Sequence, residues 1–339
     1  MVKRLWLILA LCSASLALAG CGEGKNAETT EAAETTAAAK PPAERLKGFQ
    51  PLKVTLDGEP GPETAGLLMA KDLEYFDEVG LDVSTYAPLG PERPVEYVED
   101  GTVDVAVTHE PQLVLAREEG EPVVALGSLV SGPTLSLISL PEAGIRDVAD
   151  LKGKTVIIPG APFQKDFLEA LLEKSGLTLD DVELKQNAYQ LTSALISGRA
   201  DAIFGGSRSV EGAELESRDL EPVVVEAEEM GLPPYDELVV IARENRVAAE
   251  PKLFRVFMAA LQRGTAAAIE DPEAALMAIS RADETEFHPE PNELGLEVAL
   301  PLLSEDSRID EAQTKRLIDW MHREGMIERK LPVSALTAP

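Results

Sequence analysis

The sequence predicts an α/β protein of two lobes, each a mostly parallel sheet flanked by helices. Three observations carry this reading. Short β-type runs alternate with helical runs in two successive blocks, and alternation of that kind builds parallel sheets covered by helices. Most of the helical runs stop at a glycine, as at Gly80, Gly120, Gly176 and Gly198. Hydrophobic residues make up 45% of the 339, enough to bury two cores at this length.

In chain order, residues 5–17 form an apolar run behind Lys3 and Arg4. That is the length of a signal-peptide core and too short for a permanent span, which needs roughly 20 residues. Leu18-Ala19-Gly20-Cys21 follows and resembles a bacterial lipobox, which implies a signal peptide over 1–20 and an acylated Cys21. The stretch 21–48 is rich in Ala, Thr, Glu and Pro with almost nothing large and apolar. Such a composition cannot offset chain entropy and reads as a tether.

The first block has strands expected at 53–56, 81–85, 103–108, 122–126 and 135–140, with helices at 64–79, 95–100 and 111–119. The second has strands at 155–158, 182–185, 200–204 and 222–225, with helices at 163–174 and 191–197. A strand at 237–242 crosses back, and helices at 251–270, 272–279, 294–302 and 311–324 finish the chain. The expected lobes are 49–138 with 241–339, and 139–240. A ligand would sit between them at the carboxyl ends of the strands.

Composition excludes several functions. Asp and Glu number 60 against 31 Lys and Arg, a net charge of −29, which argues against nucleic acid or an anionic membrane surface as the main partner. The two cysteines, Cys12 and Cys21, both precede the body, so it has no disulfide framework, thiolate metal site or Cys nucleophile. His109, His288 and His322 show no zinc-ligand spacing, and no metal or cofactor is expected. No Gly-x-Ser-x-Gly elbow, P-loop or dinucleotide fingerprint occurs, so no catalytic residue is assigned.

Several stretches together resemble one family: VTLDGEPGPETAGLLMAKDLEYFDEVGL (54–81), DVAVTHEPQLVLAREEGEPVVALGSLV (104–130), DLKGKTVIIPGAPF (150–163), SALISGRADAIFGG (193–206), GLPPYDELVV (231–240) and IDWMHREGMI (318–327). They are similar to the solute-binding proteins of ABC importers for thiamine pyrimidine precursors. Those share a fold with alkanesulfonate binders and with fungal-type pyrimidine synthases. The resemblance implies a type II periplasmic-binding-protein clamshell, an extracytoplasmic, lipid-anchored receptor, and a permease with its ATPase as partners. It also implies a small-molecule ligand, either a pyrimidine precursor or, alternatively, a sulfonate or other small anion.

Family members open on Asp-Trp-x-Pro-Asn, where this chain has Asp57-Gly58-Glu59-Pro60-Gly61. The family's Tyr-Trp-x-Trp-Glu is Ser207-Arg208-Ser209-Val210-Glu211, in which only the Glu remains. The expected ligand-binding residues are Asp57, Thr108, His109, Gly160, Phe163, Tyr189, Ser207, Glu211 and Tyr235, with Tyr235 and Glu237 on the hinge side; Glu211 matches the family's Glu, and Phe163, Tyr189 and Tyr235 sit where the family has aromatic or ring-packing residues. Each has an ordinary alternative. Glu211 reads an aminopyrimidine edge or is a solvated first-turn glutamate. Asp57 binds ligand or caps a helix. The amides of 160–163 cradle an anion or simply turn the chain. Arg208 pairs with an anionic ligand or lies on the surface. The synthases' substrate histidine falls on Gln112 and their cysteine cluster is missing, so the resemblance implies a binder rather than an enzyme.

Overall fold

The computed structural model describes residues 44–283 and 287–338. The expected signal peptide and Cys21 lie outside them, as does the tether up to residue 43. Residues 44–48, expected in the tether, dock on the body instead: Leu46 is buried and its N–H donates to the Val79 carbonyl at 2.9 Å.

The strands are β1 (Gln50–Thr55), β2 (Leu81–Tyr86), β3 (Val105–His109), β4 (Val123–Val130), β5 (Leu135–Ser139), β6 (Thr155–Ile158), β7 (Glu183–Gln186), β8 (Ala202–Ser207), β9 (Val223–Glu226) and β10 (Leu238–Arg243). Between them run α1 (Ala65–Asp72), α2 (Tyr75–Glu78), α3 (Arg93–Asp100), α4 (Glu110–Glu119), α5 (Gln164–Lys174), α6 (Leu191–Ile196), α7 (Ala213–Glu216) and α8 (Ala227–Met230). After β10 come α9 (Glu244–Ala249), α10 (Pro251–Glu270), α11 (Pro272–Ala282), α12 (Pro289–Ala299) and α13 (Glu311–Arg323).

These form two five-stranded sheets, ordered β2-β1-β3-β10-β4 and β7-β6-β8-β5-β9. In each, one strand runs against the other four. The reversed strands, β10 and β5, are those that follow the passages between lobes. The chain leaves the first sheet through residues 131–134 and returns through 231–237, so the expected boundaries at 138/139 and 240/241 fall inside β5 and β10. The two-lobed α/β fold is therefore present, with both lobe sheets carrying the parallel β–α–β trio that aims three strand ends at one cleft.

Local chemistry sets the element ends. The expected helix over 64–79 breaks in two at Glu74, whose φ of +58° is left-handed. α1 and α10 cross closely because Gly66 and Gly264 meet there: a Cβ at Gly264 would strike the Gly66 carbonyl and Ala70. Phe76 and Phe257 stack beside them at 5.2 Å in the first lobe's core. α12 starts six residues beyond α11 and packs on the second lobe's turn Arg208–Gly212 and on α7, as well as on the first-lobe turn Pro62–Thr64. It is a strap across both lobes. Among the described residues no helix is long and apolar enough to cross a membrane.

Candidate functional site

A cavity of about 870 Å³ lies between the sheets. From the first lobe it is walled by the loops after β1 (Asp57 to Glu63), β2 (Pro88 to Pro91) and β3 (His109). From the second it is walled by those after β6 (Pro159 to Gln164), β7 (Ala188 to Leu191) and β8 (Gly205 to Glu211). Its volume suits a small organic molecule.

The lining is acidic. Asp57, Glu59, Glu63, Glu211, Glu214, Glu237, Asp283 and Glu290 face it, eight carboxylates against one arginine among the described residues. That arginine, Arg218, is bound by Glu214. Proline faces at Pro60, Pro62, Pro88, Pro91 and Pro159 supply apolar wall.

Glu237 is the best-partnered of these acids. It stands just before β10, and its Oε2 accepts from the amides of Thr134 (2.7 Å) and Leu135 (3.0 Å) and from the Tyr235 hydroxyl (3.3 Å). It thereby ties the outgoing passage between lobes to the returning one. Its Oε1 meets His109 Nδ1 at 2.8 Å. Burial works to raise the Glu237 carboxyl, but the hydrogen bond and charge of His109 and the two amides outweigh it and hold it low. Burial likewise opposes the His109 cation, and Glu237, then Asp57 and Glu63, lift its pKa above the ordinary value. Both shifts favour the imidazolium–carboxylate form of the pair.

Asp57, Glu63 and Glu211 keep acceptor capacity for a ligand. Burial, reinforced by Glu63, pushes Asp57 up to about 6. Burial pushes Glu211 to about 7, although the Ser207 amide donates to its Oε2 at 2.7 Å. Glu63 Oε1 takes the hydroxyls of Ser207 and Ser209 at 2.6 Å each.

Of the residues expected from sequence, Asp57, His109, Tyr189, Ser207, Glu211 and the hinge-side Glu237 line the cavity. Thr108, Gly160, Phe163 and Tyr235 do not. Thr108 is buried and donates to Gln112 Oε1. Phe163 is buried behind His109, ring centres 5.3 Å apart, and continues into Phe167, which touches Tyr235 and Trp320. Tyr235 supports Glu237 from below. The anion cradle expected at 160–163 is occupied by the protein: Gln164 Oε1 accepts from the amides of Gly160 (2.8 Å) and Ala161 (2.9 Å), and its Nε2 donates to the Gly205 carbonyl. Arg208 points elsewhere. It pairs with Glu226 at 2.9 Å and lines a second cavity, of about 660 Å³. Tyr189 is exposed at the mouth, where its hydroxyl donates to the Leu89 carbonyl of the opposite lobe at 2.7 Å.

Sequence reasoning missed Glu63 and Gln164. A glutamate before a helix passes for a dipole-stabilising residue, and a helix-start glutamine has no distinctive spacing.

Comparison with known proteins places this site in context. The family model described as NMT1/THI5 like matches residues 61–275. A formylaminopyrimidine-binding protein from Halalkalibacterium halodurans is 31% identical over 83% of this chain and 80% of its own length. A 4-amino-5-hydroxymethyl-2-methylpyrimidine phosphate synthase from Aspergillus parasiticus is 30% identical over 63% of this chain and 65% of its own. In structure, the alkanesulfonate-binding protein SsuA from Xanthomonas axonopodis pv. citri superposes with a TM-score of 0.66 at 15% identity, over 86% of this chain and 99% of the other, a likeness of fold. The chain belongs to the NMT1/THI5-like family.

Proposed function

We propose that this protein is the extracytoplasmic solute receptor of an ABC importer, held to the membrane by an acylated Cys21. Its ligand in this reading is a small amino-bearing heterocycle of the thiamine pyrimidine-precursor type. One observation carries the ligand class: Asp57, Glu63 and Glu211 converge from both lobes with acceptor oxygens to spare, and Arg218, the one lining arginine among the described residues, is already paired. Such a cavity favours a molecule rich in N–H donors, since a carboxylate reads an amino group and adjacent ring N–H with both oxygens. The 31% identical formylaminopyrimidine-binding protein supports the same class.

A sulfonate or other small anion is the weaker reading, because Arg208 is engaged outside the cavity and the amides at Gly160 and Ala161 are filled by Gln164. The synthase reading is weaker still. Gln112, at the substrate-histidine position, is buried between Thr108 and the Glu92 carbonyl rather than facing the cavity. Nothing in the receptor is asked to hydrolyse; closure on the ligand creates the form that docks on the permease.

Two experiments test the proposal. Native mass spectrometry of the protein purified from its own host is expected to find a bound aminopyrimidine, and a bound sulfonate would reverse the ligand assignment. Cys21→Ser is expected to move the protein from the membrane to the soluble fraction, and continued membrane retention would rule out the lipid anchor.

A further inference from the structure

Glu63 is a lining carboxylate that reaches across the cleft to hydroxyls of the opposite lobe. It belongs to the first-lobe turn Pro62–Thr64, between β1 and α1, and is only 7% exposed. Its Oε1 accepts from Ser207 Oγ and Ser209 Oγ, both at 2.6 Å, on the second-lobe turn that ends β8. The two hydroxyls lie 2.8 Å from each other, and Ser207 Oγ also accepts from the Ser209 amide at 3.1 Å, which fixes the pair toward the first lobe. Distances of this size are those of O–H···O⁻ bonds, stronger than neutral ones. The second oxygen, Oε2, makes no hydrogen bond to any described residue. It belongs to a side chain that lines the cavity.

The surroundings reinforce the bridge. α12 packs on both of these turns, and at Gly295 its backbone comes so close to the Ser209 carbonyl and Pro62 that no side chain fits between them. Ser209 is itself buried. The strap thus rests on the first-lobe turn through Pro62 and on the second-lobe turn through Ser209.

We infer that Glu63, with Ser207 and Ser209, is an interlobe latch: its bonds to the two serines favour the closed cleft and set the lobe spacing at which a ligand is read. Glu63 is thus a positioning residue that serves closure through one oxygen and leaves the other for a donor on the ligand. Recognition and closure then pass through one carboxylate. This rests on the receptor reading above for its purpose. Its geometry, however, is testable without any ligand.

The test is hydrogen exchange followed by mass spectrometry on the full-length protein with no ligand added, comparing wild type, Ser209→Ala and Glu63→Ala. Loss of a hydrogen bond to a buried charged group shifts a local opening equilibrium by about tenfold or more. Both variants are expected to exchange at least about tenfold faster at residues 61–65 of the first lobe and 208–212 of the second, with β8 and β10 as protected as in wild type. The first-lobe segment is the discriminating readout, because a purely local role for Ser209 would leave it untouched. Unchanged exchange across the cleft from the substitution, at 61–65 in Ser209→Ala or at 208–212 in Glu63→Ala, overturns the latch. If Ser209→Ala loses protection in β8 through misfolding, Glu63→Ala decides alone. Failure of aminopyrimidines to bind would count against the ligand assignment and leave this result standing.

Discussion

His109 at the end of β3 and Glu237 just before β10 share a 2.8 Å contact in the cleft, and the same glutamate holds the amides of Thr134 and Leu135. One buried carboxylate therefore joins a cavity-facing histidine to both passages between the lobes. Removing a single partner from such a cluster strands the others without solvent.

Glu237→Ala is accordingly expected to lower unfolding stability by about 3–5 kcal/mol, as for breaking a buried ion pair from one side. His109→Ala should cost less, because the amides and the Tyr235 hydroxyl continue to satisfy Oε2. Urea denaturation followed by circular dichroism checks the order, and equal losses would mean that the amide bonds contribute nothing.

Acid groups buried beside the hinge govern the pH dependence of stability. Glu110 accepts from the Asp236 amide and from the Thr314 hydroxyl, and burial raises both Glu110 and Asp236 to about 7 from 4.5 and 3.8. Asp310 and each other's charge add to the rise for Glu110, and Asp310 does so for Asp236, while Ser128 works against it. The folded state thus binds protons that the unfolded chain has released. Stability is full below about pH 4 to 4.5 on their account and is lost as the pH climbs through 7. Asp57, Glu211 and His109 act with the same sign. Urea midpoints should fall between pH 5 and pH 8, and Glu110→Gln should flatten the fall by on the order of 2 kcal/mol. A midpoint that rises with pH over this interval would show these carboxyls to be ionised throughout.

At Gly295 the strap permits no side chain. Gly295→Val is expected to push α12 off the Ser209 carbonyl and Pro62, costing about 1–3 kcal/mol and opening the cleft. X-ray scattering should then report a larger radius of gyration for the variant than for wild type. An identical radius would mean that α12 moves without moving a lobe.

Much of the architecture was legible because each signal was local. The stops at Gly120, Gly176 and Gly198 and the apolar strand runs mark the elements, and Pro251 and Pro272 open α10 and α11 where expected. The strand ends at Asp57, His109, Ser207 and Glu211 do lie against the cavity. What escaped is set by three-dimensional contact. Nothing in the order Pro62-Glu63-Thr64 tells that the glutamate meets serines far along the chain. Gln164 filling the Gly160 amides turns a plausible anion site into a closed one, and Phe163 and Tyr235 back the site instead of lining it because Phe167 and Trp320 draw them into the core.

The central claim is that this cleft reads N–H donors with carboxylates. Calorimetry at pH 8, where Glu211 is ionised, tests it most directly, using wild type and Glu211→Gln with 4-amino-5-hydroxymethyl-2-methylpyrimidine and with the sulfonate MOPS. An amide in place of the carboxylate turns a donor toward a donor and loses a charged hydrogen bond, which costs roughly 1.5–3 kcal/mol. The account predicts binding of the aminopyrimidine alone, weakened roughly 10- to 100-fold by Glu211→Gln. Tight binding of the sulfonate, or equal aminopyrimidine affinity in the two proteins, would contradict it.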